Sequence, residues 1–203
     1  MKNQDYLYLD HAASTPMRKS AMDKYIEAES YGYANSSGGH KLSRNSKNLL
    51  EDCREKIAEL FKAAQGEIVF TSGGTEADNW TIKSLFNSKR PNDNLVTSNI
   101  EHEAVIASAE WVSSNGFHTK YAKSDKNGLV TKDEFLGQVD NDTKVASLMW
   151  GNNETGIIQP IKDIAREIKT INSSTLFHSD VVQGIISDNI DFHRNGIESA
   201  AIS

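Results

Sequence analysis

Apolar and polar positions along this chain change period repeatedly, and the changes mark its elements. Pro16 suits a first helical turn, and the pattern behind it predicts a helix over residues 17–30. Residues 31–39 are polar and rich in Gly, Ser and Asn, which reads as a loop. Over residues 41–62, Leu42, Leu49, Leu50, Cys53, Ile57, Leu60 and Phe61 recur at helical spacing and form one apolar face. Cys53 falls on that face, so a buried structural thiol is expected.

The period then shortens. Ile68-Val69-Phe70 reads as a strand, Thr71-Ser72-Gly73-Gly74 as a tight turn, and the segment from Thr75 as a helix. Further strands are expected at 95–98, 117–122, 145–150 and 175–178, with 6–10 as a short extended segment. A helix running through Trp111 lies between the first two. Thr131 and Glu134 fit a capping box for a helix ending near Val139, and Asn127-Gly128 is a turn. Ile161, Ile164, Ala165, Ile168 and Ile171 mark another amphipathic helix. Strands alternating with helices predict an α/β fold with a mainly parallel sheet flanked by helices.

Composition narrows the function classes. The 203 residues are 37% hydrophobic and 25% charged, as in a folded globular protein, and the net charge of −6 without a basic cluster argues against a nucleic-acid surface. Cys53 is the single cysteine, which excludes an intrachain disulfide and suits a reducing compartment. Residues 1–10 lack the apolar core of a signal peptide, and no run is long enough to span a membrane. A cytoplasmic location is expected.

In a parallel α/β sheet, ligands bind beyond the carboxyl ends of the strands. Four polar clusters fall there: Ser72 to Glu76, Glu101-His102, Asn152-Asn153-Glu154, and Asp180 with Gln183. Each has a plain alternative. The glycine turn could be an ordinary capped βα turn, His102 a surface histidine, Asn152-Asn153 a turn completed by Gly156, and Asp180 a helix cap. Together they supply an anion seat at a helix N-terminus, an imidazole, an amide pair and a carboxylate beside an amide. That inventory suits pyridoxal 5'-phosphate, which needs a phosphate seat, a carboxylate for its ring nitrogen and an amide for its ring hydroxyl. No metal is called for.

Five stretches, in order, resemble the cysteine desulfurases of the class V aminotransferase superfamily. They are Tyr8-Leu9-Asp10-His11-Ala12-Ala13-Ser14-Thr15-Pro16, Phe70-Thr71-Ser72-Gly73-Gly74-Thr75-Glu76, Glu101-His102-Glu103-Ala104-Val105, Asn152-Asn153-Glu154-Thr155-Gly156 and His178-Ser179-Asp180-Val181-Val182-Gln183. The resemblance implies a fold-type I large domain over residues 16–203, residues 1–15 belonging to the small domain, a seven-stranded sheet and a homodimer. It implies that Gly74 and Thr75 bind the cofactor phosphate and that His102 stacks on the ring and moves protons. Asn153 would line the pocket, Asp180 would pair with the ring nitrogen, Gln183 would bond the ring hydroxyl, and Ser203 would contact the phosphate. The implied reaction converts L-cysteine to L-alanine and moves sulfur, as an enzyme persulfide, to a sulfur-acceptor or scaffold protein, for iron–sulfur clusters or thio-modification.

The sequence departs from the family pattern in three ways. The family's cofactor-anchoring lysine lies just beyond the position of Ser203, and its persulfide cysteine much farther along. Neither Cys53 nor Lys83, Lys144 or Lys162 matches them. An N-terminal fragment, inactive alone and incomplete at the C-terminus, is therefore expected; a selenocysteine lyase or related enzyme, or a non-catalytic partner subunit, are the alternatives. In the Asn35 to His40 stretch, Ser36 stands for the family's proline and Gly38 for its second serine, and Ser43 stands where glycine is usual.

Overall fold

The helical period of the first sixty residues builds two helices, α1 (Lys19–Tyr31) and α2 (Lys41–Phe61). They belong to a computed structural model that describes residues 7–86, 92–186 and 190–203. Tyr6 of the expected extended segment lies outside the described residues. The chain divides into two compact units, one running to Leu60 with Ala64–Ile68, the other comprising Phe61–Ala63 and Val69–Ser203.

In the first unit, α2 keeps nearly the expected bounds, but several positions of its apolar face are exposed. Leu42, Leu50 and Leu60 are exposed, and so is Cys53. This corrects the expectation of a buried thiol: helical periodicity identifies a face able to be buried, while a second surface decides whether it is. The expected strand Ile68-Val69-Phe70 is also absent. Ile68 is extended (φ −93°, ψ 124°), yet no ladder forms, and Val69 and Phe70 are exposed. A strand is stable only through a neighbour that takes its backbone groups; here the Ile68 carbonyl accepts from Arg54 Nη1 on α2.

The departures at positions 38 and 43 are one feature. A Cβ at Gly38 would lie 2.4 Å from Ser43 Oγ, and Ser43 is fully buried in the first turns of α2. Its hydroxyl lies 3.0 Å from His40 Nε2, so the room that a residue-38 side chain would use is occupied. Gly38→Ala should destabilise the protein by about 1–3 kcal/mol through overpacking. Adding Ser43→Gly should recover most of that loss, apart from the roughly 1 kcal/mol that glycine costs in a helix. Thermal melts of the single and double variants check this, and independent, additive losses would refute the coupling.

The second unit holds a five-stranded, wholly parallel sheet, ordered β2-β1-β3-β4-β5. Its strands are β1 (Asn94–Ser98), β2 (His118–Ala122), β3 (Thr143–Ser147), β4 (Leu176–Asp180) and β5 (Ser199–Ala201). The helices are α3 (Gly74–Leu85), α4 (Glu103–Ser114), α5 (Lys132–Leu136), α6 (Ile161–Ile171) and α7 (Phe192–Asn195). Right-handed crossovers place α4, with α3 packed beside it, on one face and α5, α6 and α7 on the other. Alternation along β4 agrees: Phe177 meets Phe135 of α5, while His178 meets Asp78 of α3. The core under α3 and α4 comprises Ile82, Phe86, Leu95, Val105, Ala109, Val112 and Val145.

Two boundaries differ from expectation. Helix α5 ends at Leu136, short of Val139. Thr131 Oγ1 accepts from the Glu134 N–H as a cap should, but Glu134 Oε1 receives the Lys123 N–H instead of closing the box. Strand β3 ends at Ser147, because beyond it the backbone pairs only intermittently, through Leu148 N to His178 O and Trp150 N to Asp180 O.

Candidate active site

Strand order reverses direction between β1 and β3: the crossover from β1 runs to β2, and all later ones run the other way. The carboxyl ends at such a point splay apart and leave a crevice. Two buried side chains clasp its rim. Glu101, just past β1, accepts through Oε1 from Ser98 Oγ (2.6 Å) and from the Met149 N–H (3.0 Å) past β3. Asn152 donates through Nδ2 to the Ile100 carbonyl (2.9 Å), and its Oδ1 receives the N–H groups of Glu154 and Thr155. Asn152 thus builds the loop, which leaves its neighbour Asn153 half-buried with its amide on Glu154 Oε1.

Helix α3 begins at the turn singled out in the sequence. Gly73 adopts φ 154° and ψ −179°, a region essentially reserved for glycine. Thr71 Oγ1 donates to the Gly73 carbonyl, and Glu76 takes the Ser72 N–H, which holds the Glu76 carboxyl below its ordinary range. The Gly74 and Thr75 amides open the helix with no carbonyl partner among the described residues, at the positive end of its dipole. A Cβ at Gly74 would stand 2.9 Å from Val182 Cγ2 and 3.8 Å from Ser203 Cβ. The turn therefore sits directly against the segments that follow β4 and β5.

Asp180 is the last residue of β4, two places beyond His178 and on the same face. Its Oδ1 receives the Val182 N–H at 3.0 Å, and Oδ2 has no partner among the described residues. Burial, then the charge of Asp78, pushes the Asp180 carboxyl above its ordinary range, against the pull of the Val182 N–H, His178 and His102. His102 caps α4, with Nδ1 accepting the Ala104 N–H at 3.2 Å. That bond places the proton of the neutral ring on Nε2, and the residue is exposed. Gln183 is half-buried in the turn after β4, and Ser203 is exposed beside Gly74.

A family profile described as aminotransferase class-V matches residues 7–203 of the chain. The chain belongs to that family. Members of the family are pyridoxal-phosphate enzymes. A cysteine desulfurase IscS from Methanosarcina thermophila is 36% identical over 198 residues, covering 97% of this chain and 48% of the relative. A solved structure named as a NifS-like protein superposes with a TM-score of 0.93 at 32% identity, over 97% of this chain and 54% of the other. A second, SspA in complex with cysteine, gives 0.90 at 31%, over 97% and 56%. The chain spans about half the length of the curated relatives it matches. Like them it carries a parallel sheet flanked by helices, as the alternating pattern predicts.

Glu101 entered the sequence reading only as a member of a strand-end cluster, and two further buried groups at this site, Asp78 and His178, had no role in it. The signal was present for both. Asp78 stands one helical turn after Gly74, and His178 stands two residues before Asp180 on one strand, spacings that keep each pair on one face.

Proposed function

We propose that this chain is the cofactor-cradle part of a pyridoxal-phosphate-dependent cysteine desulfurase. The whole protein would convert L-cysteine to L-alanine and pass the sulfur, as an enzyme persulfide, to an acceptor or scaffold protein. The observation that carries this reading is the joint placement of a helix N-terminus and a buried carboxylate. The Gly74 turn lies in contact with the residues after Asp180, so both face one crevice.

The residues present fit the cofactor. A side chain at position 74 would press on Val182, so the glycine keeps a path open to the α3 amides. Asp180 offers one carboxylate oxygen with no protein partner among the described residues, on a largely buried residue, which leaves that oxygen available to a ligand. In this reading the Gly74 and Thr75 amides and the Ser203 hydroxyl hold the phosphate. Asp180 takes the protonated ring nitrogen, Gln183 the ring hydroxyl, and Asn153 lines the substrate side. His102 presents Nε2 to the ring and moves a proton. When bound, the group supplies an electron sink for the substrate's amino carbon.

The reading assigns neither the cofactor-anchoring lysine nor the persulfide cysteine to these residues. It keeps residues 1–15 with a small domain and residues 16–203 with the large one, in a cytoplasmic homodimer. Titration with pyridoxal 5'-phosphate, followed by tryptophan fluorescence and thermal shift, tests it. Saturable binding is expected, weakened at least about tenfold by Asp180→Asn, or roughly 1.4 kcal/mol. Equal binding by both proteins would remove Asp180 from the site and the reading with it.

A further inference from the structure

Under α3 the sheet carries a row of polar side chains where a core would ordinarily be apolar. Ser147 of β3 pairs in register with His178 of β4, and His178 with Ser199 of β5. From α3, Asp78 reaches down to the middle of this row. His178 Nε2 stands 2.9 Å from Asp78 Oδ1, and both side chains are sealed from solvent, at 0% and 1% exposure. His178 Nδ1 lies 3.2 Å from Ser199 Oγ, which lies 2.8 Å from Thr81 Oγ1 one turn along α3 from Asp78. Both ring nitrogens are therefore engaged, and the imidazole cannot turn without breaking a buried bond.

Burying this set has a cost that a Leu or Val row would avoid, since polar groups give up water for bonds of little net gain. Its position points to the return. His178 and Asp180 share one strand and one face, so the imidazole fixes the backbone two residues from the carboxylate. Asp78 is also the neighbouring charge that most opposes ionisation of Asp180, and His178 stands against it as hydrogen-bond partner.

We propose that Asp78 and His178 form a buried positioning pair for Asp180, fixing the end of β4 and offsetting Asp78's charge so that Asp180 can receive a protonated ring nitrogen. The proposal rests on the cofactor reading above and extends it to residues that touch no ligand. Among the described residues, the charged and titratable groups that act on Asp180 are Asp78 from α3, His178 on its own strand, His102 at the start of α4 and, beyond β1, Glu101, whose own carboxyl feels Asp180. Glu101 is held neutral, as argued below, so Asp78 is the negative neighbour that His178 has to answer.

The test compares binding of pyridoxal 5'-phosphate with its 1-deaza analogue, which keeps the phosphate and hydroxyl but lacks the ring nitrogen. The ratio of the two dissociation constants reads Asp180's contribution and cancels general damage to the site. His178→Gln should lower that ratio about tenfold at neutral pH, equivalent to one pKa unit at Asp180. Asp78→Asn keeps the shape but removes the charge, and should carry the wild-type ratio to lower pH. A structural role alone would weaken both ligands equally and leave the ratio unchanged in both variants, and that result overturns the proposal. Should His178→Gln fail to fold, the pH dependence in Asp78→Asn decides alone, an unshifted profile being the negative outcome. A wild-type ratio of one would instead sink the assignment of Asp180 to the ring nitrogen, a separate failure.

Discussion

Replacing Glu101 by glutamine will flatten the dependence of this protein's stability on pH. The Glu101 carboxyl is buried, and burial pushes it up to about 8, with the bonds from Ser98 and Met149 pulling back and the charges of Asp180 and Asp78 adding to the rise. In the unfolded chain the same group titrates near 4.5. Between those values the folded protein keeps a proton that the unfolded chain has released, so stability must fall as pH rises. The contribution is fully present below the unfolded value and is lost as pH rises through about 8. About 5 kcal/mol is at stake at alkaline pH.

Glutamine preserves the clasp, because its carbonyl oxygen can accept from Ser98 and Met149 as Glu101 Oε1 does. Oε2, which has no partner among the described residues, becomes a neutral amide nitrogen. The variant should match the wild type at or below about pH 4.5, gain on it progressively above that, and melt about 10 °C higher above pH 8, on the usual scaling for a domain of this size. Parallel melting curves for the two proteins across that range would show that Glu101 ionises freely in the fold. The same neutral acid keeps the β1–β3 rim closed beside His102 without adding a second negative charge to that of Asp180.

The second large effect is expected from Ile82→Ala. Ile82 is fully buried under α3 among Leu95, Val105 and Val145, where α3 meets α4 and the sheet. Truncation removes transfer energy and leaves a cavity, a loss of about 2–5 kcal/mol. Chemical denaturation should show a lower midpoint with an unchanged slope. Because α3 carries the Gly74 turn at one end, cofactor affinity should fall by less than stability does if the helix stays docked. A midpoint equal to that of the wild type would mean that Ile82 is not part of the packed core.

The parallel sheet was legible because buried parallel strands write their own signal: apolar runs such as Val145-Ala146 alternating with an amphipathic helix such as Ile161–Ile171. Strand-end clusters were legible for the same reason, since chain order along a parallel sheet sorts them to one edge. What local sequence does not carry is the partner. Ile68-Val69-Phe70 has strand composition but forms no strand, and Cys53 lies on an apolar helical face yet is exposed. Composition gave no role to Asp78 and His178, which are 100 residues apart and meet only through tertiary packing. Glu134 likewise looks like half of a capping box until Lys123, 11 residues earlier, claims it.

Helix α3 also acts as a gauge block. The helix-opening turn at Gly74, the proposed anion seat, and the bond from Asp78 to His178 lie four residues apart on one rigid rod, so their separation is set by the helical rise, about 6 Å. Its outer face, with Trp80 exposed, can vary in composition at little cost. Its length cannot: one added residue between Gly74 and Asp78 would swing the carboxylate by about 100° and lift it about 1.5 Å. Drift in this lineage can therefore repaint α3 but not reset it, and in a library of variants insertions there should be purged while substitutions at Trp80 survive.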